Sequence, residues 1–253
     1  MYFIPEVAPL LDWRTHRIQV SFILPIALAK QEKTLTLTIH VSVVVGSRPP
    51  FVFDVSFPYA RTQQNLSFCL SDYLSATDLP SEESGYFILA AEARAEQPLP
   101  PVLRAMGFWV AYQTPQAYAV LPSNVQYASS RVVYGPSAEV ELMDYFGGVE
   151  VNKDITTKVV FIHPYPGSTE LTLQLSDATG VRGSGRALHF GPRSVQWIDI
   201  ADLLPALGQE AFVGDFRVTS THRVISYVFF VNKKTGVYYS ADHTIAWIHR
   251  VVS

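Results

Sequence analysis

Cys69 is the lone cysteine in 253 residues, so no intramolecular disulfide and no paired-thiol metal or redox site can form within the chain. Charge is equally sparse. Asp, Glu, Lys and Arg make up 16% of the residues, against about 25% in an average soluble domain. Nineteen Lys and Arg against 22 Asp and Glu leave a net charge of −3. No cluster of cations is present to release counterions from a phosphate backbone, which excludes nucleic acid as an expected partner. No apolar run reaches the roughly 20 residues of a membrane-spanning helix. Helical periodicity is confined to a turn or two around Leu10, Leu74, Met143 and Leu203. The GxGxxG, Walker, HExxH and EF-hand patterns are all missing. Gly183-Ser184-Gly185 lacks the spacing of a nucleophile elbow and reads as a hairpin loop.

One segment imitates a targeting signal. Arg14, His16 and Arg17 precede the apolar run Ile18 to Ala29, and Ala27-Leu28-Ala29 has the small-x-small form of a cleavage site. The run starts late, holds Pro25 in its middle and follows a patterned segment with Asp12 and Trp13, so a strand is the better reading. The expected location is therefore cytoplasmic, with export as the alternative if the segment ending at Ala29 is a signal peptide.

What the chain has in quantity is apolar alternation. Hydrophobic residues make up 48% and aromatics 13%. Leu35, Leu37, Ile39, Val41 and Val43 alternate with Thr34, Thr36, Thr38, His40 and Ser42, the period of a half-buried strand. Leu171, Leu173 and Leu175 repeat the pattern before Asp177-Ala178-Thr179-Gly180, whose polar residues and glycine supply a hairpin turn. The same reasoning places strands near 18–26, 51–57, 64–70, 85–93, 103–112, 117–121 and 125–134. Further strands fall near 157–163, 170–176, 185–190, 194–200, 212–219, 223–231, 236–240 and 244–252. Many short strands between Gly, Pro and Asn turns predict Greek-key sandwiches.

Several blocks recur in the same order. Glu6 to Trp13 resembles Glu139 to Tyr145, Val20 to Ile26 resembles Val159 to Tyr165, and Thr34 to Ile39 resembles Glu170 to Leu175. Ser71-Asp72-Tyr73-Leu74 answers Ala201-Asp202-Leu203-Leu204, and Gly85 to Leu89 answers Gly214 to Val218. The offsets stay at roughly 130–140 residues, the mark of an internal repeat. The expected fold class is all-β, two tandem antiparallel β-sandwiches related by internal duplication, with repeats over 1–134 and 135–253. Gly135-Pro136-Ser137 is the expected linker, with Ser137 placed to cap a short helix running through Met143 to Phe146.

The strand aromatics are expected to fill cores, and Cys69, between Phe68 and Leu70, to act as a small buried hydrophobe. None of the seven histidines forms an HxH pair, and His243 and His249 lie too far apart along a strand to share an ion, so neither metal nor cofactor is expected. Polar residues enter the second half where the first has others: His163 stands opposite Leu24 and His243 opposite Asn124. The loops bearing His163-Pro164-Tyr165, His222 and Asp242-His243 are therefore the candidate ligand-binding places, with no catalytic residue assigned.

The segments Thr157 to Ile162, Leu171 to Leu175, Ile198 to Leu203, Phe216 to Ser220 and His243 to Trp247 resemble the small bacterial sensory rhodopsin transducer family over about 95 residues. The resemblance implies a soluble, non-enzymatic β-sandwich that oligomerises and binds a protein or a small ligand. This chain departs from it in having two copies, and in His222-Arg223-Val224-Ile225. The expected function is a binding or assembly module with a protein partner or small-molecule ligand. The alternatives are a hydrolase or lyase acting on a carbohydrate or small metabolite between the halves, and an exported adhesion or envelope protein.

Overall fold

A computed structural model describes residues 6–23, 35–59, 65–74, 84–95, 107–123, 140–220, 224–243 and 245–251. The chain divides into two compact units, Met1–Pro115 with Val120–Ser129, and Gln116–Ala119 with Ser130–Ser253. The expected boundary at 134/135 and the expected linker lie outside the described residues. Strands β1 (Glu6–Leu10), β2 (Arg17–Ile23), β3 (Leu35–Val45), β4 (Phe51–Tyr59), β5 (Asn65–Cys69), β6 (Gly85–Ala95), β7 (Gly107–Gln113) and β8 (Tyr118–Ser123) form two four-stranded sheets, ordered β1-β6-β3-β4 and β5-β2-β7-β8. The later strands are β9 (Val140–Val151), β10 (Ile155–His163), β11 (Thr169–Asp177), β12 (Gly180–Phe190), β13 (Ser194–Asp199), β14 (Phe212–Ser220), β15 (Ile225–Asn232), β16 (Tyr238–His243) and β17 (Ile245–Val251). They form sheets ordered β12-β11-β14-β9-β17 and β13-β10-β15-β16. The fold is all-β and its sheets are antiparallel, as the alternation predicts.

Each pair of sheets shares one core. In the first, Phe22 of β2 meets Phe57 of β4 edge to face at 5.5 Å, and the Tyr112 hydroxyl of β7 donates to the Pro9 carbonyl of β1 at 2.7 Å. In the second, Phe161 of β10 meets Phe190 of β12 at 6.4 Å and Phe216 of β14 at 6.5 Å, both edge to face. Phe22 and Phe161 are wholly buried. Both faces of β10 are covered along Val159 to Ile162, which explains its continuous apolar run where a one-sided strand would alternate.

Helix survives at two of the four places expected. Leu70–Tyr73 and Ile200–Leu203 are 3-10 turns, but Leu10 lies in β1 and Met143 in β9. Leu142, Met143, Tyr145 and Phe146 have helical spacing, yet β9 pairs with β14 on one side and β17 on the other, and that ladder overrides local propensity. β1 has only β6 on its ladder, and an edge strand tolerates Pro9. Gly183-Ser184-Gly185 is a bulge within β12, where Leu173 faces Arg186 but Leu175 faces Arg182; the hairpin turn is at Asp177 to Gly180, as expected. The expected internal strand Val20 to Pro25 is β2 as far as Ile23, and residues 24–34 lie outside the described residues.

Leaving β17 aside, the two units share a sheet order, β1-β6-β3-β4 matching β9-β14-β11-β12 and β5-β2-β7-β8 matching β13-β10-β15-β16; β17 is a fifth strand beside β9 with no counterpart among the described strands of the first unit. The registers refine the matched blocks. Phe87 lies opposite Val43 and Ala8, and Phe216 lies opposite Leu175 and Phe146. If Phe87 and Phe216 correspond, Leu175 answers Val43 instead of Ile39, so the Thr34 to Ile39 match slides along its strand but keeps its face. The Asp12 to Asp144 match does not fit the ladder, because Asp144 faces Val218 within β9 while Asp12 lies beyond the end of β1.

Replacing Phe22 or Phe161 by Ala is expected to cost about 3–5 kcal/mol each, measured by urea denaturation. Val213→Ser, at a side chain 72% exposed, is expected to stay within about 0.5 kcal/mol.

Candidate functional site

His163 and Tyr165 are brought together on the turn after β10. The His163 side chain is buried, and its Nε2–H donates to the Gly167 carbonyl at 2.9 Å, which fixes the proton on that nitrogen because a carbonyl only accepts. The Tyr165 ring stands edge to face against it at 5.5 Å, and the Tyr165 carbonyl accepts from the Arg193 amide at 2.9 Å. Asp242 and His243 are on a strand instead of the loop expected for them: they end β16, opposite Val228 and Tyr227. One residue later the chain resumes as β17 in the facing sheet, so this dipeptide marks where a strand changes sheets. His222 lies outside the described residues. β15 separates β10 from β16, which puts the His163 and His243 backbones at least two strand spacings, roughly 10 Å, apart. Among the described residues, no group of three or more His, Cys, Asp or Glu side chains is placed to hold a metal ion.

A different place in the second unit forms a concave site. β13 ends at Asp199, whose carboxylate accepts from the Ala201 amide at 3.0 Å and from the Thr156 hydroxyl, with the Lys158 ammonium 4.0 Å away. This cap starts the 3-10 turn Ile200–Leu203. Pro205 opens a second such turn, Pro205–Leu207, which Gly208 closes with φ 67°, a left-handed conformation that glycine adopts without strain. The Leu207 and Gln209 amides both donate to the Leu204 carbonyl, tying the two turns into one ordered unit. Ile200 and Leu204 anchor it in the core, leaving Asp202, Leu203 and Leu207 to face β11 and the bulged edge strand β12.

Between them lies a cleft of about 290 Å³, floored by Leu173 and Leu175 and walled by Leu203 and Leu207, with Arg186 and Asp202 contributing charge. Gly185 sits on the lining where a Cβ would come within 2.3 Å of the Thr172 methyl, so the bulged backbone approaches β11 closely. Among the described residues, neither the Arg186 nor the Asp202 side chain has a hydrogen-bond or ion-pair partner. Of the residues expected to bind ligand, His163, Tyr165 and Asp242 do not line this cleft. The repeated Asp202-Leu203-Leu204 block had marked the turn, but nothing in the strand pattern separates Arg186 from an ordinary exposed strand residue.

Near the capped turn, the Tyr238 phenol is pushed above the usual tyrosine value, first by burial and then by the Asp199 carboxylate. Because the folded state holds this proton more tightly, the stabilisation is intact below about pH 10 and is lost as pH climbs through the higher folded value. Tyr238→Phe is expected to flatten the loss of stability above pH 10 in urea titrations; an unchanged slope would exclude Tyr238 as its source. Asp199→Ala removes the cap and is expected to cost about 0.5–2 kcal/mol in the same assay.

No family model and no curated protein matches the chain. Among solved structures, an apo lectin of Pleurotus ostreatus is 12% identical over 97% of this chain and 84% of its own, with a TM-score of 0.19. A β-glucuronidase of Bacteroides uniformis is 12% identical over 92% of this chain and 26% of its own, with a TM-score of 0.15. At such scores these likenesses carry nothing about site or activity.

Proposed function

We propose that the protein is a non-enzymatic binding module whose second unit takes a small ligand in the cleft between β11, β12 and the double turn 200–208. One observation carries this reading: an apolar floor of buried leucines lies beside one cation and one carboxylate that have no partner within the chain among the described residues. Ligand sites combine apolar walls with a few polar groups that fix orientation, and about 290 Å³ lies just under their usual range of roughly 300–1,000 Å³, the size of a small ligand. The buried His163 imidazole uses its Nε2–H to hold a turn, which favours binding over acid-base catalysis. The shared strand order supports an origin of the two units by internal duplication. Kinship of the second unit with the sensory rhodopsin transducer family is proposed on the sequence resemblance alone, without light signalling.

The test is ligand-observed NMR with a library of fragment-sized compounds against the wild type and Leu207→Trp, which fills the cleft. Compounds that bind the wild type are expected to lose their signal in the variant while circular dichroism and melting show it folded. Equal binding to both proteins, or no binding to the wild type, would overturn the reading.

A further inference from the structure

The first unit shows what fills the corresponding place when the chain fills it itself. Phe53 lies opposite Val41 on β3, and Arg186 lies opposite Leu173 on β11. Two residues further along β3 and β11 come Val43 and Leu175, the partners of Phe87 and Phe216. Four residues beyond Phe53, Phe57 packs edge to face on Phe22; four beyond Arg186, Phe190 does the same on Phe161. Arg186 thus stands where the first unit has Phe53. The 3-10 turns correspond as well: each begins with a fully buried residue, Leu70 or Ile200, and ends with Tyr73 in one and Leu203 in the other. In the first unit Phe53 and Tyr73 stack with centroids 4.7 Å apart and planes within 8° of parallel. In the second unit both rings are gone, and the cleft opens between Arg186 and Leu203.

Resting on the cleft as a ligand site, we infer that it takes a free amino acid with an aromatic side chain. The ring replaces the missing stack, lying on Leu173, Leu175, Leu203 and Leu207. The ligand carboxylate pairs with the Arg186 guanidinium, which suits a planar two-oxygen acceptor. Its ammonium pairs with Asp202. A simple anion would satisfy Arg186 and meet repulsion at Asp202, and a simple cation the reverse, so a zwitterion alone answers both charges. The Asp is common to both turns, as Asp72 and Asp202, and the Arg for Phe exchange is what adds the second pole.

Isothermal titration of the full chain with L-phenylalanine, benzoate and phenethylamine tests this. L-phenylalanine is expected to bind tightest, with each single-charge probe weaker by roughly three- to tenfold. Arg186→Met should weaken L-phenylalanine and spare phenethylamine, and Asp202→Asn should weaken L-phenylalanine and spare benzoate. The double variant Arg186→Phe with Leu203→Tyr, copying the first unit, should abolish binding and melt no lower than the wild type. If that variant fails to fold, the two exposed single substitutions still decide the assignment. Benzoate binding as tightly as L-phenylalanine, or L-phenylalanine binding unaffected by either single substitution or retained by a folded double variant, overturns the inference. If L-phenylalanine does not bind while library compounds bind the wild type and not Leu207→Trp, the ligand class falls and the cleft as a ligand site stands; if nothing binds, both fall.

Discussion

Two sheets that share a core leave a seam at each edge, where the inward side chains of the last strands have no further strand to cover them. How the chain closes these seams decides most of what distinguishes it. In the second unit one seam is closed by continuity: β16 ends in one sheet at His243, and β17 resumes in the other at Ile245. At the opposite edge β12 and β13 belong to different sheets, and the 3-10 turns after β13 bring Ile200 and Leu204 down into the core. A turn serves here because it can be set in place by one capping carboxylate, and Asp199 also holds Thr156 of β10.

The two units close this last seam with different chemistry. Phe53 and Tyr73 close it with a ring stack, a large apolar area held in a favoured geometry. Arg186 and Leu203 leave it open, and the β12 bulge draws Gly185 against Thr172 beside the gap. A charged residue pointing along an apolar strand face is stabilising only if its head reaches water or a partner. Arg186 is exposed, with its head free to meet water, and it stands opposite Leu173 on the ladder. The opening is therefore compatible with a stable fold, which a buried unpaired cation would not be.

Most of the strands were legible because period-two alternation is the direct imprint of one buried face. β3 and β11 carry it in full, and the hairpin turn at Asp177 to Gly180 was legible from its residues. β1 and β9 were not, because their short apolar clusters satisfy helical spacing as well as strand spacing, and the partners that decide between them lie far along the chain. Glycine misled in the same way: Gly183-Ser184-Gly185 has turn composition, but its neighbours on β11 hold it in a ladder as a bulge. Of the expected site, the pairing of His163 with Tyr165 was visible as a short motif. The cleft was not, since Arg186 and Leu203 lie in separate elements and become neighbours only when the seam forms.

Period two also explains why the repeated blocks fall on strands at similar places in the two sheet orders while their residues do not align one for one. A strand shifted by an even number of residues against its counterpart keeps every side chain on its original face, so hydrophobic pattern alone cannot distinguish the registers. The Leu-Thr-Leu-Thr run of β3 is self-similar at a shift of two or four, and its match to β11 slid accordingly. Features that break the period fix the register: the 3-10 turns and the Phe22–Phe57 and Phe161–Phe190 contacts. Those same fixed points place Arg186 on Phe53 and Leu203 on Tyr73. The two sheet orders thus meet different side chains at this seam, and a ring stack in one unit against an arginine beside a cleft in the other is a difference in chemistry at one matched place in the architecture.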